Sequence, residues 1–201
     1  MIAEIISTGD EVITGTVVDS NSAYIAARLF EMGIPVGRQV TVGDDPERMA
    51  SVLRETSQRA DIVIVTGGLG PTVDDITARA ACLAAGVELK PHPTARLYIE
   101  EFFKRFNRTL SMSDLKQAEL PAEANPVLNP VGTAPGFSMN IGGCLFYFLP
   151  GVPFEMRRMM QDNVIPAIES LYCRGPKRRY YIEKRISSFG LPESGVNERL
   201  A

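Results

Sequence analysis

Histidine, cysteine and tryptophan are nearly missing from this chain: it has one histidine, three cysteines and no tryptophan in 201 residues. The lone His92, set between Lys90-Pro91 and Pro93, reads as a loop residue and leaves no Ser-His-Asp arrangement to assemble. Cys82, Cys144 and Cys173 are widely spaced with no CxxC pair, which argues against a zinc site. They read as small buried apolar residues in a reducing compartment. No apolar run approaches the roughly 20 residues of a membrane span. No GxxxxGK(S/T) sequence is present, so a P-loop is excluded, and there is no internal repeat. The opening Met1-Ile2-Ala3-Glu4-Ile5-Ile6 has no basic region and is not expected to be a signal peptide. A net charge of −3 argues against a general nucleic-acid binder, and the late basic cluster Lys177-Arg178-Arg179 reads as a solvated turn or strand edge. The expectation is a cytoplasmic protein with neither nucleic acid nor membrane as partner.

Apolar residues make up 45%, enough for a sizeable core. The length suits one α/β domain and part of another. Strand and helix signals alternate. Residues 2–7 read as a strand. Residues 21–32 read as a helix capped by Ser20 or Asn21, with Ile25, Leu29 and Met32 on one face and Gly33 at its end. A strand over 35–42 precedes a helix opened by Asp45-Pro46. A buried strand over 61–66 leads to a helix over 74–85. Helices over 94–106 and 113–120 follow, then a Pro-, Asn- and Gly-rich loop with a short strand. Gly142-Gly143 marks a hairpin between 137–141 and 144–149. A last helix spans about 153–172, with Pro166 expected to kink it. This alternation predicts a three-layer α/β/α sandwich around a mostly parallel sheet. Residues 1–172 form that domain, and 173–201 read as the start of an incomplete second unit.

The most informative stretch is Thr66-Gly67-Gly68-Leu69-Gly70-Pro71-Thr72-Val73-Asp74-Asp75-Ile76-Thr77, between a buried strand and a helix. Glycines let backbone N–H groups approach an anion, and a helix N-terminus favours negative charge. The two carboxylates would repel that anion unless a cation sits between them. Three other strand ends carry glycine with acid: Thr8-Gly9-Asp10-Glu11, Gly43-Asp44-Asp45, and Pro150-Gly151-Val152-Pro153-Phe154-Glu155. Parallel strands would bring all four loops to one sheet edge, where α/β proteins bind ligands. Asp10, Asp44, Asp74 and Asp75 would then share one region, and crowded carboxylates need a cation or raised pKa values. Metal-assisted attack of water on a pyrophosphate is the chemistry this suggests. Plainer roles stand beside it: a Thr72/Asp75 capping pair, a solvated turn at Asp10-Glu11, a helix start at Asp19-Ser20-Asn21, dipole complementation by Glu155 and a solvated Lys116.

These segments, with Ser7, Lys116-Gln117-Ala118, Gly132-Thr133-Ala134-Pro135-Gly136 and Met156, make the chain resemble the molybdopterin-binding (MoaB/Mog-like) fold. The nearest resemblance is to the N-terminal domain of the CinA (competence/damage-inducible) family, over roughly residues 1–170. The resemblance implies a metal-dependent ADP-ribose pyrophosphatase, using magnesium, manganese or cobalt and helped by potassium, that yields AMP and ribose 5-phosphate. Its alternative is a module that binds molybdopterin or a nucleotide without turnover. In Mog-like proteins two aspartates handle the pterin phosphate, and by resemblance these match Asp44 and Asp75; on the charge reading Asp44 and Asp75 are expected to hold the metal, and Asp44, Asp74 and Asp75 to carry the catalysis. Thr8, Gly9, Asp10, Asn21, Gly67, Gly68, Leu69, Gly70, Thr72, Lys116 and Glu155 would bind the substrate and its phosphates. Leu69 and Asp74 depart from the cofactor-synthesis branch, which carries threonine where Leu69 stands. Self-association as a homo-oligomer is also implied. The family's nicotinamide-nucleotide amidase lies in a separate C-terminal domain and is not expected here.

Overall fold

The computed structural model describes residues 1–72, 74–172, 187, 189–190 and 192–200. Four strands run parallel: β1 (Ala3–Thr8), β3 (Ile62–Thr66) and β8 (Cys144–Leu149) at the centre, and β2 (Val36–Val42) on the edge beside β1. Antiparallel β7 (Gly136–Ile141) and β6 (Asn125–Val127) extend the sheet, whose order is β2-β1-β3-β8-β7-β6. Chain order reverses between β1 and β3, so the cleft beyond their carboxyl ends is a topological switch point. A separate two-stranded sheet pairs β4 (Leu89–Pro91) with β5 (Glu119–Pro121), and sequence periodicity did not indicate it.

The central strands are apolar on both faces because helices cover both. In β3, Val63 and Val65 join Ile6, Phe146 and Phe148 in one core. Packed there are α3 (Pro46–Ser57), α4 (Thr77–Ala85) and α5 (Pro93–Arg105). Ile62 and Ile64 point the other way, into a core with Ile5, Tyr147 and Leu149. That face carries α2 (Ser20–Glu31), α7 (Pro153–Met159) and α8 (Ile165–Tyr172). Fully burying each such side chain is worth about 1.5–3 kcal/mol, so the two cores hold the sheet rigid beneath the loops at its edge.

Some expected boundaries shift, with local reasons. Asp19 caps α2, accepting from the Ser22 N–H at 2.9 Å, rather than Ser20 or Asn21; Asn21 is thereby released for tertiary contacts. α4 starts at Thr77, three residues later than expected, so Asp74 and Asp75 lie in the preceding loop. His92 caps α5. Ser111 and Asp114 form a capping box on the short α6 (Met112–Lys116). The last helix is interrupted by a π-helical turn over Met160–Val164 ahead of Pro166. Proline cannot donate the next helical hydrogen bond and its ring crowds the preceding turn. At the hairpin, Gly142 and Gly143 take φ values of 58° and 87°, as a primed two-residue turn requires. Residues 177–186, read as a basic turn and strand, lie outside the described residues; beyond them, α9 (Glu193–Leu200) is helical. Among the described residues no helix is long and apolar enough to cross a membrane.

Candidate functional site

A cavity of about 570 Å³ opens at the switch point, lined from all four parallel strand ends. Thr8 ends β1 and Gly9 leads into the short α1 (Asp10–Ile13), Asp44 follows β2, residues 67–72 with Asp74 and Asp75 follow β3, and residues 150–153 with Glu155 follow β8. Asn21 and Leu69 also line it. Two expected members stand apart. Asp10 is exposed and reaches the cavity only through Asp44. Lys116 is exposed and does not line the wall; its neighbour Gln117, which had not been singled out, is buried and does.

The β3 loop supplies unpaired donors. The Gly67 N–H is used structurally, donating to the Leu149 carbonyl at 3.0 Å and so prolonging the β3–β8 pairing. The next three N–H groups, of Gly68, Leu69 and Gly70, have no backbone or side-chain acceptor among the described residues. Thr77 braces this loop from behind: its hydroxyl donates to the Gly67 carbonyl at 2.9 Å and its N–H to the Gly68 carbonyl at 3.2 Å. Gly67 has φ 112°, and a Cβ there would lie 2.6 Å from the Thr8 carbonyl oxygen. Consecutive free N–H groups on a braced glycine loop form an anion-binding concavity.

Carboxylates stand around that concavity. The Asp75 side chain closes its own loop, its Oδ2 accepting from the Thr72 N–H at 2.8 Å and the Thr72 hydroxyl at 2.7 Å. The pair anticipated as a helix cap therefore exists, but as a turn ahead of α4. Asp74 is exposed and its carboxylate has no partner among the described residues. Asp44 is half-buried and accepts from the Thr8 hydroxyl at 3.4 Å. Burial raises its pKa above the ordinary aspartate value, and the charges of Asp10 and Glu11 raise it further, against the Asp10 N–H and Thr8 hydroxyl bonds. Among the described residues no group of three or more His, Cys, Asp or Glu side chains is gathered to hold a metal. Asp44 and Asp75 both line the cavity, and a magnesium-type ion needs only one or two carboxylates, completing its shell with water and phosphate oxygens. Asp44 and Asp75 are the residues that would hold it.

Glu155 is fixed by a residue that sequence reading missed. Asn129, fully buried, donates to Glu155 Oε2 at 2.7 Å and to the Ala134 carbonyl at 3.0 Å. It ties the 132–136 loop to the start of α7. Asn129 sits in the irregular loop after β6, where no periodicity marks any one residue.

A family model described as a probable molybdopterin binding domain matches residues 4–170. The CinA protein of Thermoplasma acidophilum has the same fold at TM-score 0.75 and 34% identity, over 84% of this chain and 96% of that one. The chain belongs to the CinA family. CinA-like proteins of Desulfosudis oleivorans and Escherichia coli are 45% and 42% identical to it, over 100% and 98% of its length. This CinA-family chain spans about half the length of those relatives, 48% in each case. The molybdopterin biosynthesis enzyme MoaB of Thermus thermophilus shares the fold at TM-score 0.57 and 19% identity, over 85% of this chain and 92% of that one.

Proposed function

We propose that this domain is a metal-dependent nucleotide pyrophosphatase that hydrolyses ADP-ribose, or a related nucleoside diphosphate sugar, to AMP and ribose 5-phosphate. The observation that carries the reading is the juxtaposition, in one cavity, of the unpaired Gly68, Leu69 and Gly70 N–H groups with Asp44, Asp74 and Asp75. Donors alone would suit any anion. Donors ringed by carboxylates suit an anion that arrives with a cation, and a diphosphate chelating a divalent ion is such a ligand.

The division of labour follows from the surroundings of each group. The three N–H groups hold phosphate oxygens. Asp44 and Asp75 would hold the divalent ion, which would supply polarisation of a phosphoryl oxygen. Asp74, exposed and uncommitted, accepts the proton of the attacking water. The water oxygen forms a new P–O bond as the bridging P–O bond breaks, and the leaving phosphate departs as the second product. Val12, Val17, Val18 and Val152 give the cavity an apolar side that suits a base or sugar face better than inorganic pyrophosphate.

Turnover of ADP-ribose by the purified chain with Mg²⁺, Mn²⁺ or Co²⁺, read as AMP by chromatography, tests this. AMP formation that stops on chelation is the expected result. Tight binding of ADP-ribose with no product under any of the three ions would instead make the domain a nucleotide-binding module.

A further inference from the structure

Outside the cavity, two guanidiniums gather on one aromatic ring. The Arg28 guanidinium carbon lies 5.5 Å from the centroid of the Tyr24 ring, and that of Arg157 lies 5.1 Å from it. Tyr24 and Arg28 belong to α2, and Arg157 belongs to α7, which packs beside it. The π-helical turn adds Gln161, whose Nε2 donates to the Tyr24 hydroxyl at 3.2 Å. Tyr24 and Arg28 are half-buried and Arg157 and Gln161 are exposed, so a solute reaches the cluster from solvent. None of the four lines the cavity. Tyr24 stands one turn beyond Asn21 on α2, and Arg157 one turn beyond Pro153 on α7; those two do line it. The cluster is a separate place, about 5 Å further along both helices.

Two like charges on one ring call for a counter-charge, and the neighbouring acids are spent elsewhere. Glu31 pairs with Arg28, Asp162 pairs with Arg158, and Glu155 accepts from Asn129. Arg157 makes no hydrogen bond or ion pair among the described residues, where the Tyr24 ring is its partner. Neutral donors stand beside it. The Tyr24 hydroxyl accepts from Gln161, which leaves its own proton free. Were the Gln161 amide turned over, the hydroxyl would donate to Oε1 and the amide N–H groups would be free instead. Either orientation leaves a spare donor next to a guanidinium and no unpaired carboxylate. Donors arriving from two helices suit an anion with oxygens on several sides, and a guanidinium fork matches phosphate. With one uncommitted guanidinium the cluster takes one small anionic group. Lipid surfaces are held by larger clusters, of about four to eight basic residues.

We infer that Tyr24, Arg28, Arg157 and Gln161 form a binding site for a phosphate dianion, free or as a small phosphomonoester, distinct from the cavity. Arg157 makes the charged contact, the Tyr24 ring holds its guanidinium in place, and Arg28 adds a second positive charge. Tyrosine or glutamine supplies the neutral hydrogen bond. The inference uses no part of the pyrophosphatase reading.

Phenylglyoxal, which modifies accessible guanidiniums, reads this site on the purified full chain when the products are mapped by peptide mass. The probes are inorganic phosphate, ribose 5-phosphate and acetate, at constant ionic strength and without divalent metal. The exposed Arg48 on α3 serves as reference. The expected result is that at least one of the two phosphates slows Arg157 modification saturably, about 3-fold at twice its dissociation constant, while Arg48 reacts as before. Which of the two protects identifies the free anion or the monoester as ligand. At least one of Arg28→Gln and Tyr24→Leu should raise the concentration needed for protection about 3-fold or more. Equal rates at Arg157 with and without either phosphate overturn the inference, and that comparison needs no variant to fold. Full protection by acetate overturns it as well, because the site would then not select phosphate. So does protection unchanged in both variants, which would make Arg157 a lone surface cation. Phosphate held at the glycine loop leaves Arg157 unprotected, so failure here and failure of the cavity reading are separate results.

Discussion

Asp10 and Asp44 exchange hydrogen bonds, each donating its backbone N–H to the other's carboxylate at 3.2 Å. The exchange locks the loop after β1 to the loop after β2. It also presses two negative groups together at the cavity rim, an arrangement that opposes folding and favours a cation.

Asp44 binds its proton more tightly in the folded chain than in the unfolded one, because burial and the charges of Asp10 and Glu11 raise its pKa. Folding is therefore favoured by acid across the interval between the two values, and the Asp44 charge weighs against folding at neutral pH. Asp44→Asn should raise the melting temperature at pH 7 in the absence of metal and lower metal-dependent turnover about 100-fold or more. A melting temperature that falls in Asp44→Asn would contradict this account.

Gly67 and Gly70 should separate stability from ligand binding. Alanine at 67 meets the Thr8 carbonyl at 2.6 Å with φ at 112°, so Gly67→Ala should cost about 1–3 kcal/mol in denaturant unfolding. At 70 the added Cβ would meet Asp75 Oδ2 at 2.5 Å, a side chain that can swing away. Gly70→Ala should leave stability nearly unchanged and weaken ADP-ribose binding about 10-fold or more, since Asp75 loses its Thr72 turn. Equal effects of the two substitutions on unfolding would contradict the assignment.

Arg59 is the sole ion-pair partner, among the described residues, of the buried Glu4. Its Nε lies 2.7 Å from Glu4 Oε1 and its Nη2 lies 2.9 Å from Glu4 Oε2. Arg59→Ala strands that charge and should cost about 3–5 kcal/mol. Arg59→Ala with Glu4→Gln should recover part of the loss, because the amide buries no charge. Equilibrium unfolding of the three chains would show it, and a single variant as stable as the parent would refute it.

Cys144 begins β8 in the core, where burial, with the charges of Asp61 and Glu4 adding to it, pushes its thiol pKa up to about 12. The reactive thiolate is then nearly absent at pH 8. Iodoacetamide at pH 8 should label the Cys144 peptide only after denaturation, as mapped by mass spectrometry. Rapid labelling in the native protein would contradict its burial.

The sequence alone conveyed the layers and the loops that form the site. Apolar runs such as Ile62–Thr66 and the glycine-acid junctions after them are local patterns, and parallel strands place their ends together with no further information. Position within a loop was not legible in the same way. That Gly67 spends its N–H on Leu149 and that Asn129 holds Glu155 depend on partners far away in the chain, 26 residues on in the case of Glu155. Hydrogen bonds of that kind leave no periodic trace. Composition and spacing determined that this chain is a mostly parallel α/β domain with acidic, glycine-rich strand ends. Only the tertiary structure decided which donors stay unpaired, because a backbone N–H is free or spent according to what the folded chain brings within three ångströms of it.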